Sequence, residues 1–380
     1  MGKELRVGIL YENNEHWIGG TYYIQNLIAA LNKLKENEKP TVVVFAKTAQ
    51  EFAQIEQTGY PHLEFKLLTY QSGRLSLAKR ILNKLNFTLF NKDLFPQPVA
   101  FDFHQVNVMF PTPVGMIAPG MKKIYWIPDF QELYYPEFFS KSELSNRMQN
   151  HSFIASSKDT VVFSSNNALN DFKKLFPSHH CETAVVQFAV THPDLNELSI
   201  SGLKEKFGIG NQYIIAPNQF WVHKNQSLIV EAARILMEKG QLDFQIVFTG
   251  KEHDPRNPEY ASDLKKRVKE LGLSNQVLFL GFIDRNEQLC LVKNAEAVIQ
   301  PSLFEGWSTV VEDAKALNKY VLASDLTVHR EQLPCNASFF EIDNSKLLAD
   351  LMYAKQFSVD PLEYNKNIAH YANQFKKLIN

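Results

Sequence analysis

Short β-branched, apolar runs alternate with longer stretches of helical periodicity along almost the whole 380-residue chain. In the first half the runs are LRVGILY, TVVVFA, VNVMFP, KIYWIP, TVVFSS and TAVVQF. In the second half they are YIIAPN, FQIVFTG, QVLFLGF, AEAVIQPS and KYVLASD. Between them lie patterns such as TYYIQNLIAALNKL, which puts Ile24, Leu27, Ile28 and Leu31 on one helical face. Strands that stay apolar throughout, separated by helices, predict parallel sheets covered on both faces. Two such runs in succession predict an α/β protein of two doubly wound domains facing across a cleft.

The polar, turn-rich segment 191–212, THPDLNELSISGLKEKFGIGNQ, is the expected boundary. The reading divides the chain into residues 1–195, residues 196–355 and a C-terminal helix, 356–380, with no strand after it. That helix is expected to dock outside its own sheet, on the first domain. Open parallel sheets bind ligands beyond the carboxyl ends of their strands, so the strand-to-helix loops are where chemistry is expected.

Composition narrows the partners. Apolar residues make up 45% and charged residues 21%, as in ordinary globular proteins, and 40 basic against 41 acidic residues give no field for nucleic acid. Cys181, Cys290 and Cys335 are odd in number and scattered, which fits a reducing compartment without a disulfide framework. The N-terminal residues read straight into a strand without a signal-peptide core, and no continuous apolar run reaches membrane-spanning length. A cytoplasmic location follows as an expectation, with any membrane contact peripheral. No G-x-G-x-x-G follows the first strand, which argues against a dinucleotide oxidoreductase.

The most informative loop is PSLFEGWSTVVEDAKAL, residues 301–317. Glu305 lies between a strand end and a helix start, Gly306 allows close backbone approach, and Ser308 or Thr309 suits the N-cap. Free amides at that helix start would attract an anion such as phosphate. A carboxylate there would be repelled by phosphate, so Glu305 fits better as an acceptor for sugar hydroxyls beside it. Either Glu312 or Asp313, further into the helix, suits ribose hydroxyls. On spacing alone, the same acids also suit a solvated loop and a helix surface.

This segment, continuing to NKYVLASDLTVHREQ, closely resembles the signature of GT-B retaining glycosyltransferases of the large family 4 type. The resemblance is strong over residues 213–331 and weaker before them. It implies two Rossmann-like domains, the first for an acceptor and the second for a nucleotide-sugar donor. The family's second acid stands eight positions after the first, which selects Asp313, one methylene shorter than the usual glutamate. The family also pairs an arginine with a lysine five residues later to hold the donor diphosphate. In APNQFWVHKNQSL, with Asn218 at the strand end, the lysine is Lys224 and the arginine is replaced by Gln219. Protonated His223 would then compensate for the missing cation. Gly19 and Gly20 match a family Gly-Gly whose helix amides meet the phosphate. Asp129 in WIPDFQ matches a segment of the same subgroup, with Glu132 where a histidine often stands. Catalytic roles fall on Glu305, Lys224 and Asp129. Donor contacts add Trp307, Ser308, Thr309 and the backbone around Phe282 and Ile283.

The expected activity is hexosyl transfer from a UDP- or GDP-linked sugar, with no separate cofactor, to a glycan or polyprenyl-linked acceptor. The absence of Asp-x-Asp predicts no metal. Residues 72–92 combine Arg74, Lys79, Arg80, Lys84 and Lys92 with apolar positions, as in a helix lying on an anionic inner-membrane surface. A surface helix with ordinary lysines has the same pattern. Two alternatives remain: a nucleotide-sugar 2-epimerase of the same fold, and a non-catalytic two-domain binding protein.

Overall fold

The computed structural model describes residues 5–13, 18–68, 71–72, 76–90, 99–100, 106–116, 120–333 and 335–380. The first half begins β1 (Arg6–Leu10), α1 (Ile18–Leu31), β2 (Thr41–Ala46), α2 (Ala49–Glu56) and β3 (Leu63–Leu67). A short antiparallel pair, β4 (Gln71–Ser72) with β5 (Val99–Ala100), brackets α3 (Leu77–Phe90). Then come β6 (Val108–Phe110), β7 (Lys122–Ile127), α4 (Gln131–Tyr134) and α5 (Lys141–Ser156). The half closes with β8 (Thr160–Phe163), α6 (Asn166–Leu175) and β9 (Glu182–Val185). Seven of these strands form one parallel sheet, ordered β3-β2-β1-β6-β7-β8-β9.

The second half runs α7 (Ile200–Phe207), β10 (Tyr213–Ala216), α8 (Gln226–Glu238), β11 (Gln245–Phe248), α9 (Tyr260–Glu270) and β12 (Val277–Phe279). It continues with α10 (Arg285–Asn294), β13 (Val298–Gln300), α11 (Thr309–Ala316), β14 (Val321–Ser324) and α12 (Thr327–Gln332). The last elements are β15 (Ala337–Phe340), α13 (Ser345–Ala354) and α14 (Asn365–Ile379). Its six strands are parallel in the order β12-β11-β10-β13-β14-β15. The fold is α/β, with two Rossmann-like sheets.

The continuous apolar runs occupy the strands buried on both faces. All of Tyr213–Ala216 and all of Val321–Ser324 are buried. Sequence reading missed β3 and β15 because each is an edge strand only partly covered, where Glu64, Lys66 and Ser338 break the apolar pattern. The 191–212 segment also holds a helix. Ser199 caps α7 by accepting from the Gly202 amide, and Gly208 ends it in the left-handed region. Leu203 and Ile209 join the second domain's core.

α14 leaves the second domain and packs beside α1. Tyr371, Phe375 and Ile379 share one core with Leu27, Ile28 and Leu31. The strap is tied at its entry by Tyr364, whose hydroxyl donates to Glu312 on α11. A second tie between the halves is Glu331 at α12. Its carboxylate accepts from the Asn166 amide at 2.9 Å, where α6 begins, and from Gln187 Nε2 at 2.6 Å. A carboxylate suits the positive end of a helix.

Candidate active site

The carboxyl ends of both sheets enclose a cavity of about 640 Å³. Gly19, Trp126 and Asp129 line it from the first domain, and Asn218, Lys224 and Glu305 from the second.

Glu305 is 9% exposed, and three donors converge on its Oε1. Lys224 Nζ and Gln300 Nε2 each stand 2.6 Å away and Ser302 Oγ 2.7 Å away. Gln300 is in turn fixed by Asn218, whose Nδ2 donates to its Oε1 at 2.8 Å. Burial is the largest single influence and works against the Glu305 charge, but Lys224 and the other groups around it together hold the carboxyl below its ordinary range. Oε2 makes no hydrogen bond among the described residues. The sequence placed Lys224 and Glu305 in separate tasks; the fold makes them one ion pair, with Lys224 carried on the short turn Val222–Lys224.

Asp129 follows β7 and faces this pair. Burial pushes its carboxyl above the usual value, with the Glu305 charge adding, against the pull of the Gln131 amide. Gly306 lies directly beneath it. A β-carbon there would stand 2.7 Å from Asp129 Cβ and 2.8 Å from the Pro128 carbonyl oxygen. The close approach that requires glycine is therefore made by the opposite domain.

Ser308 is the N-cap of α11, its Oγ accepting from the Val311 amide, while its own amide donates to Gln332 Oε1 at 3.1 Å. The amides of Thr309 and Val310 have no acceptor among the described residues, and both residues line the cavity.

The two acids on α11 separate. Glu312 is turned away from the cavity, bonded to Lys315 Nζ at 2.8 Å, to Gln332 Nε2 at 2.9 Å and to Tyr364. Its expected donor role is corrected to a structural one, because neighbouring groups take both its oxygens. Asp313 lines the cavity, yet Arg285 Nη2 reaches its two oxygens at 2.6 and 2.7 Å and His192 Nε2 lies 2.8 Å from Oδ1. Burial opposes that charge, and Arg285 holds the carboxyl below its ordinary value.

His223 is corrected as well. Burial, reinforced by Lys224, pushes its pKa from 6.5 down to about 3, so the ring is neutral and supplies no cation. Its Nδ1 has no hydrogen-bond partner among the described residues. Gln219 lines the cavity without charge. The cations that sequence reading missed are Arg285, stacked 5.0 Å over the Tyr22 ring, and Arg256, 4.8 Å over Trp221 and paired with Asp254. Nothing in their local sequence distinguishes them from surface arginines.

The other predicted positions divide. Gly19 and Gly20 fall in the first turn of α1, Gly19 on the cavity wall and Gly20 buried. Trp307 lines the cavity, but its indole N–H is committed to the Phe188 carbonyl at 3.1 Å. Phe282 stands 70% exposed at the mouth, whereas the Ile283 side chain packs into the second domain's core. Glu132 is buried off the cavity and receives Arg147 Nη1 at 3.0 Å.

Residues 203–377 match the model of the family described as glycosyl transferases group 1. The O-antigen chain mannosyltransferase RfbU of Salmonella typhimurium is 28% identical over 160 residues, a match spanning 42% of each chain. The serotype-specific mannosyltransferase WbdA of Escherichia coli is 25% identical over 142 residues, 37% of this chain and 17% of that one. The chain thus aligns with less than half the length of these curated relatives. Among solved structures, Anabaena HepE in complex with UDP and glucose has a TM-score of 0.63 at 17% identity, covering 99% of this chain and 95% of that one. That likeness establishes a shared two-domain fold.

Proposed function

We propose that the protein transfers a hexose from a nucleotide diphosphate to a glycan or polyprenyl-linked acceptor, with retention, in cell-surface polysaccharide synthesis, a reading supported by the match of residues 203–377 to the glycosyl transferases group 1 model. The observation that carries this reading is the Lys224–Glu305 pair in one cavity with the open Thr309 and Val310 amides.

The charge that grows during such a transfer is on the departing diphosphate. Lys224 and the α11 amides are fixed donors for it in a partly dry site, where they act more strongly than in water. Glu305 keeps Oε2 for a hydroxyl of the donor sugar, while its own charge offsets part of the Lys224 charge in the resting pair. Asp129, whose carboxyl burial pushes above its ordinary value, hydrogen-bonds a second sugar hydroxyl across the cleft. The leaving oxygen accepts the proton of the attacking hydroxyl, so no enzyme nucleophile and no metal enter the scheme. Asp313 and Arg285 mark the nucleoside end, Asp313 accepting from ribose once Arg285 shifts.

A UDP- and GDP-sugar panel, followed by thermal shift and then by product analysis, tests the reading. GDP-mannose heads the panel because RfbU and WbdA are mannosyltransferases. Donor consumed without acceptor, giving an epimerised sugar, would replace transfer by 2-epimerisation. A donor that binds and never turns over would leave a binding protein.

A peripheral membrane contact through α3 belongs to the same proposal. Leu77, Ile81, Leu82 and Leu85 are all about half exposed or more, beside Lys79, Arg80 and Lys84. Arg74 and Lys92 lie outside the described residues. Among the described residues no helix is long and apolar enough to cross a membrane.

A further inference from the structure

Gln300 ends β13 as a fully buried amide on a strand whose other residues, Val298 and Ile299, are apolar. Such a group is costly unless both its ends find partners. Here they do. Parallel pairing of Ile215 with Val298 brings the end of β10 beside the end of β13, and Asn218 reaches Gln300 across that gap. The Asn218 backbone is fixed from its other side by Gly250, beyond the end of β11. A β-carbon on Gly250, whose φ is +142°, would stand 2.2 Å from the Asn218 carbonyl oxygen.

Asn218, Gln300 and Glu305 form a relay whose direction is set at the carboxylate end. An ionised carboxyl only accepts hydrogen bonds. Gln300 therefore turns Nε2 toward Glu305 Oε1, 2.6 Å away, and shares it with Ser302 Oγ at 3.1 Å. The Ser302 hydroxyl can accept there because its own hydrogen goes to Glu305. Gln300 Oε1 is left as an acceptor, so Asn218 turns Nδ2 toward it at 2.8 Å. What remains is Asn218 Oδ1. It makes no hydrogen bond among the described residues and is not shut off from solvent, and Asn218 lines the first cavity.

An oxygen fixed as an acceptor pairs with a hydroxyl and opposes a phosphate, whose oxygens are acceptors too. Neighbouring Gln219 supplies no cation to reverse that preference, and its carbonyl is taken by Gln226 Nε2 and the Trp221 amide, both at 2.9 Å. The diphosphate is left to Lys224 and the α11 amides.

We propose that Asn218 is a specificity-determining residue for the donor sugar: its Oδ1, oriented through Gln300 by the Glu305 carboxylate, accepts from one hexose hydroxyl and excludes phosphate from that corner. Gln300 is then a positioning residue. The words donor and hexose rest on the transferase reading above; the direction of the relay rests on its own contacts.

Calorimetry on the intact protein compares UDP and GDP with UDP-glucose and GDP-mannose. For the nucleotide sugar that binds, Asn218→Ala should raise Kd about tenfold, the size of one lost hydrogen bond, and leave the bare nucleotide within about twofold. Gln300→Met keeps the volume and removes the relay. It should give the same selective loss, with the double variant no weaker than either single one. Asn218→Ser serves if the alanine variant unfolds. Among monodeoxy forms of the sugar, one should bind the parent about tenfold more weakly and bind Asn218→Ala no differently from the complete sugar. In the ligand-free protein, the Gln300 side-chain amide NMR signal, identified by its loss in Gln300→Met, should shift in both Asn218→Ala and Glu305→Gln.

Equal losses for bare and sugar-linked nucleotide would put Oδ1 against phosphate and overturn the proposal. Unchanged sugar-nucleotide binding, additive losses in the double variant, or an amide signal indifferent to either change would do the same. Turnover by the parent with normal donor binding in Asn218→Ala would sink this contact alone. A nucleotide sugar bound with the expected selectivity and never transferred would sink the transferase reading alone, and a parent that binds no nucleotide sugar loses both.

Discussion

Gly306 and Asp129 meet across the cleft so closely that a β-carbon on the glycine would stand 2.7 Å from Cβ of the aspartate. The Pro128 carbonyl, equally near, is backbone and cannot swing aside. Gly306→Ala should therefore push the domains apart at the reacting centre. Misplacement on the order of 1 Å costs about 100-fold in rate. Steady-state assays should show that loss in kcat, with nucleotide affinity changed only a few-fold because most of its proposed contacts lie on the second domain.

The Lys224–Glu305 pair should behave as one unit. Lys224→Met leaves a buried carboxylate without its cation and should destabilise by about 3 kcal/mol, while adding Glu305→Gln should restore part of that loss. Each single change should lower transfer by at least about 100-fold, and the double should be little worse than either. Urea unfolding and turnover on all four proteins check this. Additive losses would mean that the two act separately.

Stability should fall in acid through the buried histidines. Burial holds His223 at about 3 and His151 at about 4, against an ordinary 6.5. The unfolded chain therefore takes up protons that the folded one refuses. Their stabilising contribution is complete above 6.5 and drains away as pH falls toward those folded values. Denaturation midpoints for the wild type should drop across that window, and His151→Gln should flatten the slope. An unchanged slope would place the ring charge outside the fold's control.

Turnover should survive EDTA, since lysine and helix amides are proposed to carry the diphosphate charge. Loss of activity that Mg²⁺ or Mn²⁺ alone restores would overturn that part of the scheme.

Vesicles containing phosphatidylglycerol should bind the protein, and phosphatidylcholine vesicles should not. Changing Lys79, Arg80 and Lys84 to glutamate should abolish sedimentation, as each basic residue near an anionic surface contributes about 1 kcal/mol. Equal binding by the variant would assign α3 to ordinary solvent exposure.

Much of this molecule was legible locally. Strands covered on both faces must be apolar at every position, so YIIA and VLAS announced a parallel interior. The Ser308 cap and the Glu305–Gly306 bend were equally readable, because caps and tight turns depend on a few adjacent residues. Edge strands β3 and β15 were not, since partial cover permits polar residues. Tertiary structure alone decided that Glu305 and Lys224, 81 residues apart, share one proton-rich contact. It also decided which α11 acid faces the cavity: neighbours on a helix differ by about 100° in direction, and only packing fixes the rotation. His223 lost its charge, and Arg285 reached Asp313, for the same reason. Charge and burial depend on what the fold brings near, and those neighbours leave no periodic trace along the chain.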